Sequence, residues 1–225
     1  MPNDDRNLLD VPKFDTDLGR RLPHYFFETR RRRMKRSLVL AVLMMTAFVT
    51  SEAGTISGKV SGVAGESVIY IDTIAEKTFP APTQHPVVDQ KGLVFQPHIT
   101  VVLAGTMVDF LNSDTVAHNV FWTSIGGNKK LGHNLGTWPK GDKRSFKFDT
   151  SGVVPLFCNV HPEMSAYIVV VPTAYFATSD QAGNYKVENV PDGSYTVTAW
   201  HEGAKNQSKP VTASGDSKVD FTLSK

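Results

Sequence analysis

From Gly54 onward, apolar and polar positions alternate in short runs, and Gly, Pro, Asn and Asp break the runs every few residues. This is the period-2 signal of half-buried strands, and no stretch sustains a helical period of 3.6. The pattern predicts strands over residues 55–60, 67–72, 93–95, 99–103, 107–111, 119–123, 144–149, 153–158, 167–171, 175–178, 184–188, 194–200, 209–212 and 218–223. Strands at this spacing make an all-β chain of sandwich or barrel type. The roughly 170 residues past Gly54 suit one large sandwich or two small ones.

The first 53 residues follow a different pattern. They hold 10 of the 24 basic and 7 of the 22 acidic side chains, which leaves 14 basic against 15 acidic from Gly54 onward. The formal charge of +2 therefore comes from the N-terminal segment. A nucleic-acid partner is not expected, because such a binder keeps its positive excess in the folded part. Arg30–Arg33, Lys35 and Arg36 precede an apolar run over 38–49, and Ser51 and Ala53 supply small residues before Gly54. A basic region, a short apolar core and a small-residue break predict a signal peptide over 34–53, with either Met1 or Met34 as the start. Residues 1–33 then form a disordered or untranslated extension. The apolar run falls short of the ~20 residues of a spanning helix, so no stable membrane span is expected. A periplasmic or secreted protein follows, by the general or the twin-arginine route.

One stretch concentrates the chemistry: Phe157-Cys158-Asn159-Val160-His161-Pro162-Glu163-Met164. Cys158 is the single cysteine of the chain. It forms no internal disulfide, and an unprotected thiol is a liability in an oxidising compartment unless a metal occupies it. A thiolate, an imidazole and a thioether on one loop are soft ligands that suit copper, and two His with one Cys and a weak axial Met make a blue-copper site. Cys158, His161 and Met164 supply three of these ligands, and His118 is the best candidate for the fourth.

Phe110, Asn112 and Asp114, then His118-Asn119-Val120, then Phe157-Cys158 with His161 and Met164 resemble the cupredoxin pattern, most closely its plastocyanin and amicyanin branch. The short Cys-x-x-His-x-x-Met loop is the amicyanin-like version. The resemblance covers residues 86–172 and implies a Greek-key β-sandwich holding one type 1 copper. It also implies that Asn119, beside His118, ties the two ligand segments together.

A second resemblance is split along the chain. Gly54-Thr55-Ile56-Ser57-Gly58-Lys59-Val60 resembles the opening strand of a carboxypeptidase-regulatory, transthyretin-like (Ig-like) sandwich, and residues 180–197 resemble its middle hairpin. There, Tyr185, Val187, Tyr195 and Val197 alternate onto one face. The expected order is residues 54–72 as the first strands of this sandwich, 73–85 as a linker with three prolines up to Pro86, 86–172 as the cupredoxin, and 173–225 as the remainder. Either the cupredoxin is inserted into the second sandwich, or residues 54–72 belong to the cupredoxin as an extra hairpin.

His85, His98, His133 and His201 have no matching partners and are expected to be solvated or locally bonded, with His133 on a loop; His24 lies before the signal. Without a His-x-His pair or a second cysteine, the chain lacks the ligands of a multicopper oxidase, so a non-enzymatic role is expected. Lys129, Lys130, Lys140, Lys143, Arg144 and Lys147, opposed within the run by Asp142, are either a solvated face or a docking patch for an acidic partner. The leading expectation is an exported one-electron carrier serving a protein redox partner such as a small cytochrome or dehydrogenase. The alternatives are a copper-delivery protein and a surface assembly module. Met107 and Met164 are the only methionines after residue 53, which disfavours a Met-rich delivery surface.

Overall fold

In a computed structural model of the protein, the residues described are 53–75 and 77–225. The extension over 1–33 and nearly all of the signal segment over 34–53 lie outside them. Among the described residues no helix is long and apolar enough to cross a membrane.

The strands are β1 (Gly54–Ser61), β2 (Val68–Ile71), β3 (Val87–Gln90), β4 (Phe95–Gln96), β5 (Ile99–Leu103) and β6 (Thr106–Asn112). After them come β7 (His118–Trp122), β8 (His133–Trp138), β9 (Lys143–Phe148), β10 (Gly152–Phe157), β11 (Ser165–Val171) and β12 (Phe176–Thr178). The last are β13 (Asn184–Val190), β14 (Gly193–Trp200), β15 (Gln207–Ala213), β16 (Ser217–Lys218) and β17 (Phe221–Thr222). A 3-10 turn, Lys129–Leu131, precedes β8.

β3 to β11 pair only among themselves, in two sheets ordered β4-β3-β6-β9 and β5-β11-β10-β7-β8. Their inward residues, among them Phe110, Trp122, Trp138, Phe148, Val154, Leu156 and Ile168, fill one core. β1 pairs with β13, β16 and β17, and β2 with β12 and β14, so the opening strands join the end of the chain and add no hairpin to the first sandwich. β14 lies in the sheet with β2, facing the sheet that holds β1 and β13. The core between these two sheets includes Ile56, Ile69, Ile71, Tyr185, Val187, Val197 and Phe221.

β11 explains how the two sandwiches meet. Its run Ala166-Tyr167-Ile168-Val169-Val170-Val171 does not alternate, which is what a strand buried on both faces requires. Ala166, Ile168 and Val170 enter the first core. Val169 and Val171 turn outward and pack with Val68 and Trp200 of the second sandwich, flanked by Tyr70, Ile99, Val101, Val153 and Tyr167. Each valine so buried contributes roughly 1.5–3 kcal/mol. The His98–Glu202 pair across the same junction has side chains 49% and 39% exposed, and such pairs contribute little. The apolar layer dominates this contact.

Two strands escape the sequence pattern. β3 buries Gln90 completely and leaves Val87 half exposed, inverting the usual rule. β8 buries only Trp138, and Gly136 takes a φ of +82° beside an irregularity in the ladder with β7. Leu93, expected in a strand, has φ 60° and belongs to the turn before β4.

On β6, Asp109 accepts hydrogen bonds from Lys143 Nζ and Ser145 Oγ, both at 2.6 Å, and faces His85 Nδ1 at 3.2 Å. The Lys143 bond, followed by the Ser145 bond, outweighs burial and holds the Asp109 carboxyl at about 2, below its ordinary 3.8. A depressed folded value means the network's stabilisation is fully present above the ordinary carboxylate range and is lost as pH falls toward about 2. Asp109→Asn is therefore expected to melt below the wild type at neutral pH, with the gap closing in acid; thermal melts from pH 7 to pH 2 check this.

Candidate metal centre

The ligand candidates come from two connections at one end of the first sandwich. β10 ends at Phe157, β11 starts at Ser165 opposite it, and the segment between carries Cys158, His161 and Met164. The His161 carbonyl accepts the Met164 amide at 3.0 Å, which curls the segment into a turn. His118 is the first residue of β7, and the Phe121–Phe157 pairing sets β7 beside β10.

The His118, Cys158 and His161 donor atoms all lie within 4.8 Å of one another. His118 Nδ1 is 3.0 Å from His161 Nδ1 and 3.9 Å from Cys158 Sγ. His118, Cys158 and Met164 are buried, at 0%, 2% and 1% exposure, whereas His161 is partly exposed. Cys158 and Met164 belong to the same apolar core as Leu156 and Ile168, so the sandwich fixes them before any metal arrives.

Asn119 spans the two segments. Its amide donates to Cys158 Sγ at 3.4 Å, and its Oδ1 accepts the Asn159 amide at 3.2 Å. Its Nδ2 donates to Asn134 Oδ1 at 2.8 Å and Gly136 O at 2.7 Å. Asn134, unremarked in the sequence reading, thus orients the Asn119 side chain. Asn112, part of the pattern before His118 but given no role there, is fully buried; it donates to Val116 O and Trp138 O and accepts the Asp114 amide, all at 2.9 Å, shaping the loop before His118. Asp114 accepts from His118 Nε2 at 2.8 Å. Burial raises the Asp114 pKa, but the Leu93 and Gly92 amides and His118 outweigh it and leave the carboxyl below its ordinary value.

The other histidines sit apart. His201 is buried between Ala64 O (3.1 Å) and the Gly203 amide (3.0 Å). His133 lies on β8 and not on a loop, because residues 133–138 pair with β7. Its ring packs on Trp122 at 5.4 Å and Phe146 at 4.9 Å. Trp138, at the other end of β8, stands opposite His118, so His133 is at the end remote from the site.

The same registers divide the basic run. Lys140 follows Trp138, while Lys143 and Arg144 stand opposite Leu111 and Phe110, toward the site. Lys147 stands opposite Met107 at the far end, where it and Lys130 line one hollow with His133. Lys143 and Lys147 lie four residue steps apart along β9, about 13 Å. Lys143 is paired with Asp109 and Lys147 with Asp149 at 2.7 Å, so the six cations form no single patch. The site end instead carries exposed apolar side chains: Leu93, Val94, Val116 and Val160 are each 43–48% exposed.

Residues 83–171 match the family of copper binding proteins, plastocyanin/azurin family, and residues 162–224 match the carboxypeptidase regulatory-like domain. The first match contains all four ligand candidates. No curated protein matches the chain. Among solved structures, a reduced amicyanin variant is 22% identical over 40% of this chain and 84% of its own, with a TM-score of 0.36. A purple cupredoxin from Nitrosopumilus maritimus is 22% identical over 38% of this chain and 98% of its own, with a TM-score of 0.34. A copper-containing nitrite reductase from Thermus scotoductus is 20% identical over 46% of this chain but only 25% of its own, with a TM-score of 0.38. The donor set fits copper: a sulfur and two imidazole nitrogens converge, a buried thioether lies in the same core, and a backbone amide is aimed at the sulfur.

Proposed function

We propose that this chain, which joins a plastocyanin/azurin-type copper-binding region to a carboxypeptidase regulatory-like domain, is an exported one-electron carrier. His118, Cys158 and His161 are the equatorial ligands of this reading and Met164 the weak axial one. Copper held by such a set supplies a reversible one-electron couple. The observation that carries the reading is the convergence of three donor atoms within 4.8 Å, of which only the His161 side reaches solvent. His118 and Cys158 are held from the protein side by Asp114 and Asn119, so their positions need little change between oxidation states. His161 is the point of electron exit, and the apolar Leu93, Val94, Val116 and Val160 are the surface a protein partner meets. A small exported cytochrome or a dehydrogenase is the partner class, and the chain is a carrier rather than an enzyme.

Carriage and delivery differ in what reduction does to the metal. Voltammetry of the copper-loaded protein is expected to show a reversible one-electron wave with copper retained through many cycles. Release of copper on each reduction to a competing Cu(I) chelator would instead assign a delivery role.

Steering by charge should depend on where the lysines lie. Lys140→Glu/Arg144→Glu, at the site end, is expected to slow electron transfer to an acidic partner more than Lys129→Glu/Lys130→Glu at the far end. The difference should shrink as the Debye length falls from ~30 Å at 0.01 M salt to ~8 Å at 0.15 M. Stopped-flow rates across that range decide it, and equal rates for both variants and the wild type remove charge from docking.

A further inference from the structure

The turn between β3 and β4 contains no ligand candidate, yet it is bonded to the site through one side chain. Asp114 Oδ1 accepts the Gly92 amide at 2.7 Å, and Oδ2 accepts the Leu93 amide at 3.0 Å and His118 Nε2 at 2.8 Å. The backbone under Asp114 is fixed as well. The Ser113 amide donates to Gln90 O at 3.0 Å and to Asp89 Oδ1 at 3.1 Å, and the Asp114 amide donates to Asn112 Oδ1 at 2.9 Å. The carboxylate therefore has little freedom to turn away from the imidazole, and its side chain is 15% exposed.

An ionised carboxylate only accepts hydrogen bonds, so the contact at Nε2 places the His118 ring proton there. Nδ1 is left with its lone pair, and it faces Cys158 Sγ and His161 Nδ1. The negative charge behind the ring favours the more positive oxidation state of whatever the ring holds.

We propose that Asp114 is a positioning residue of the copper site: it ties His118 to the turn between β3 and β4, selects the tautomer that offers Nδ1 to copper, and biases the couple toward Cu(II). This rests on the copper reading of the site. It also makes the turn bearing exposed Leu93 and Val94 part of the same bonded unit as a ligand.

The test uses the full chain with Asp114→Asn and Asp114→Glu. In the metal-free wild type, imidazole nitrogen NMR is expected to find His118 protonated at Nε2 alone, and in Asp114→Asn a mixture of tautomers. Competition titrations are expected to show Cu(II) affinity lowered 10–100-fold in Asp114→Asn. Cu(I) affinity should fall less, and each tenfold gap between the two reads as a rise of about 59 mV in potential. Asp114→Glu, which keeps the charge, should stay nearer the wild type. A lower melting temperature with unchanged tautomer and potential would reduce Asp114 to a loop-closing residue and overturn the proposal. If the wild type gave no thiolate-to-copper band the copper reading would fail, while the metal-free tautomer measurement would still report whether Asp114 holds His118.

Discussion

Replacing Cys158 with serine is expected to abolish the visible colour of the copper-loaded protein while leaving the chain folded. The band arises from charge transfer out of a thiolate, and a serine oxygen is a harder, poorer donor to copper. The cost to the fold is smaller. Serine is close in size to cysteine, and the Asn119 amide that now points at Cys158 Sγ has an oxygen to meet in its place. Burying a hydroxyl with at least one partner costs at most about 1–3 kcal/mol. Colour and fold are thus separable in this variant, by absorbance and by thermal melt. His85→Ala and His201→Ala invert the pattern. Neither residue is near the cluster, so both should keep the colour. His201→Ala should lose about 1 kcal/mol of stability, because two part-buried hydrogen bonds of the His201 ring, with Ala64 O and the Gly203 amide, are lost.

A chain lacking residues 53–72 is expected to lose the second sandwich as a cooperative unit. β1 is the strand that joins β13 to β16 and β17, and β2 stands between β12 and β14. Removing them takes the connecting strand from both sheets and strips the cover from Val169 and Val171. Residues 173–225 should then exchange their amide hydrogens rapidly, and the protein should aggregate through the uncovered face of β11. Smaller lesions grade the effect. Ile56→Ala, in a fully buried position, should cost roughly 2–5 kcal/mol. Gly58→Val should be worse than its polarity suggests, because a Cβ there would sit 1.7 Å from the Val219 carbonyl oxygen. If residues 173–225 kept slow exchange in the truncated chain, the dependence of the second sandwich on β1 and β2 would be refuted.

How far each feature could be read from sequence follows from the range of its contacts. Cys158, His161 and Met164 lie on one loop, and their side-chain types are diagnostic together, so local reading reached them. Asp114 stood in the pattern before His118, but its role was not legible, because it depends on two backbone amides over 20 residues away that only the β3–β4 turn delivers. Asn134 was hidden in the same way, on an edge strand too polar to read as one. The apolar run of β11 was visible as a strand, but its second buried face signals a third layer that alternation alone does not assign to a partner. The basic run, open to reading as a solvated face or a docking patch, was ambiguous for the opposite reason. Its residues are close in sequence, but Lys143 and Lys147 lie toward opposite ends of β9, and Lys130 precedes the end of β8 remote from His118.

The visible absorption spectrum of the purified, copper-loaded protein tests the central claim most directly. The ligand set of His118, Cys158, His161 and Met164 predicts an intense thiolate-to-copper band in the oxidised protein, blue or green by eye, that bleaches on one-electron reduction. A protein that binds copper and stays colourless when oxidised would contradict the type 1 assignment and the carrier function built on it.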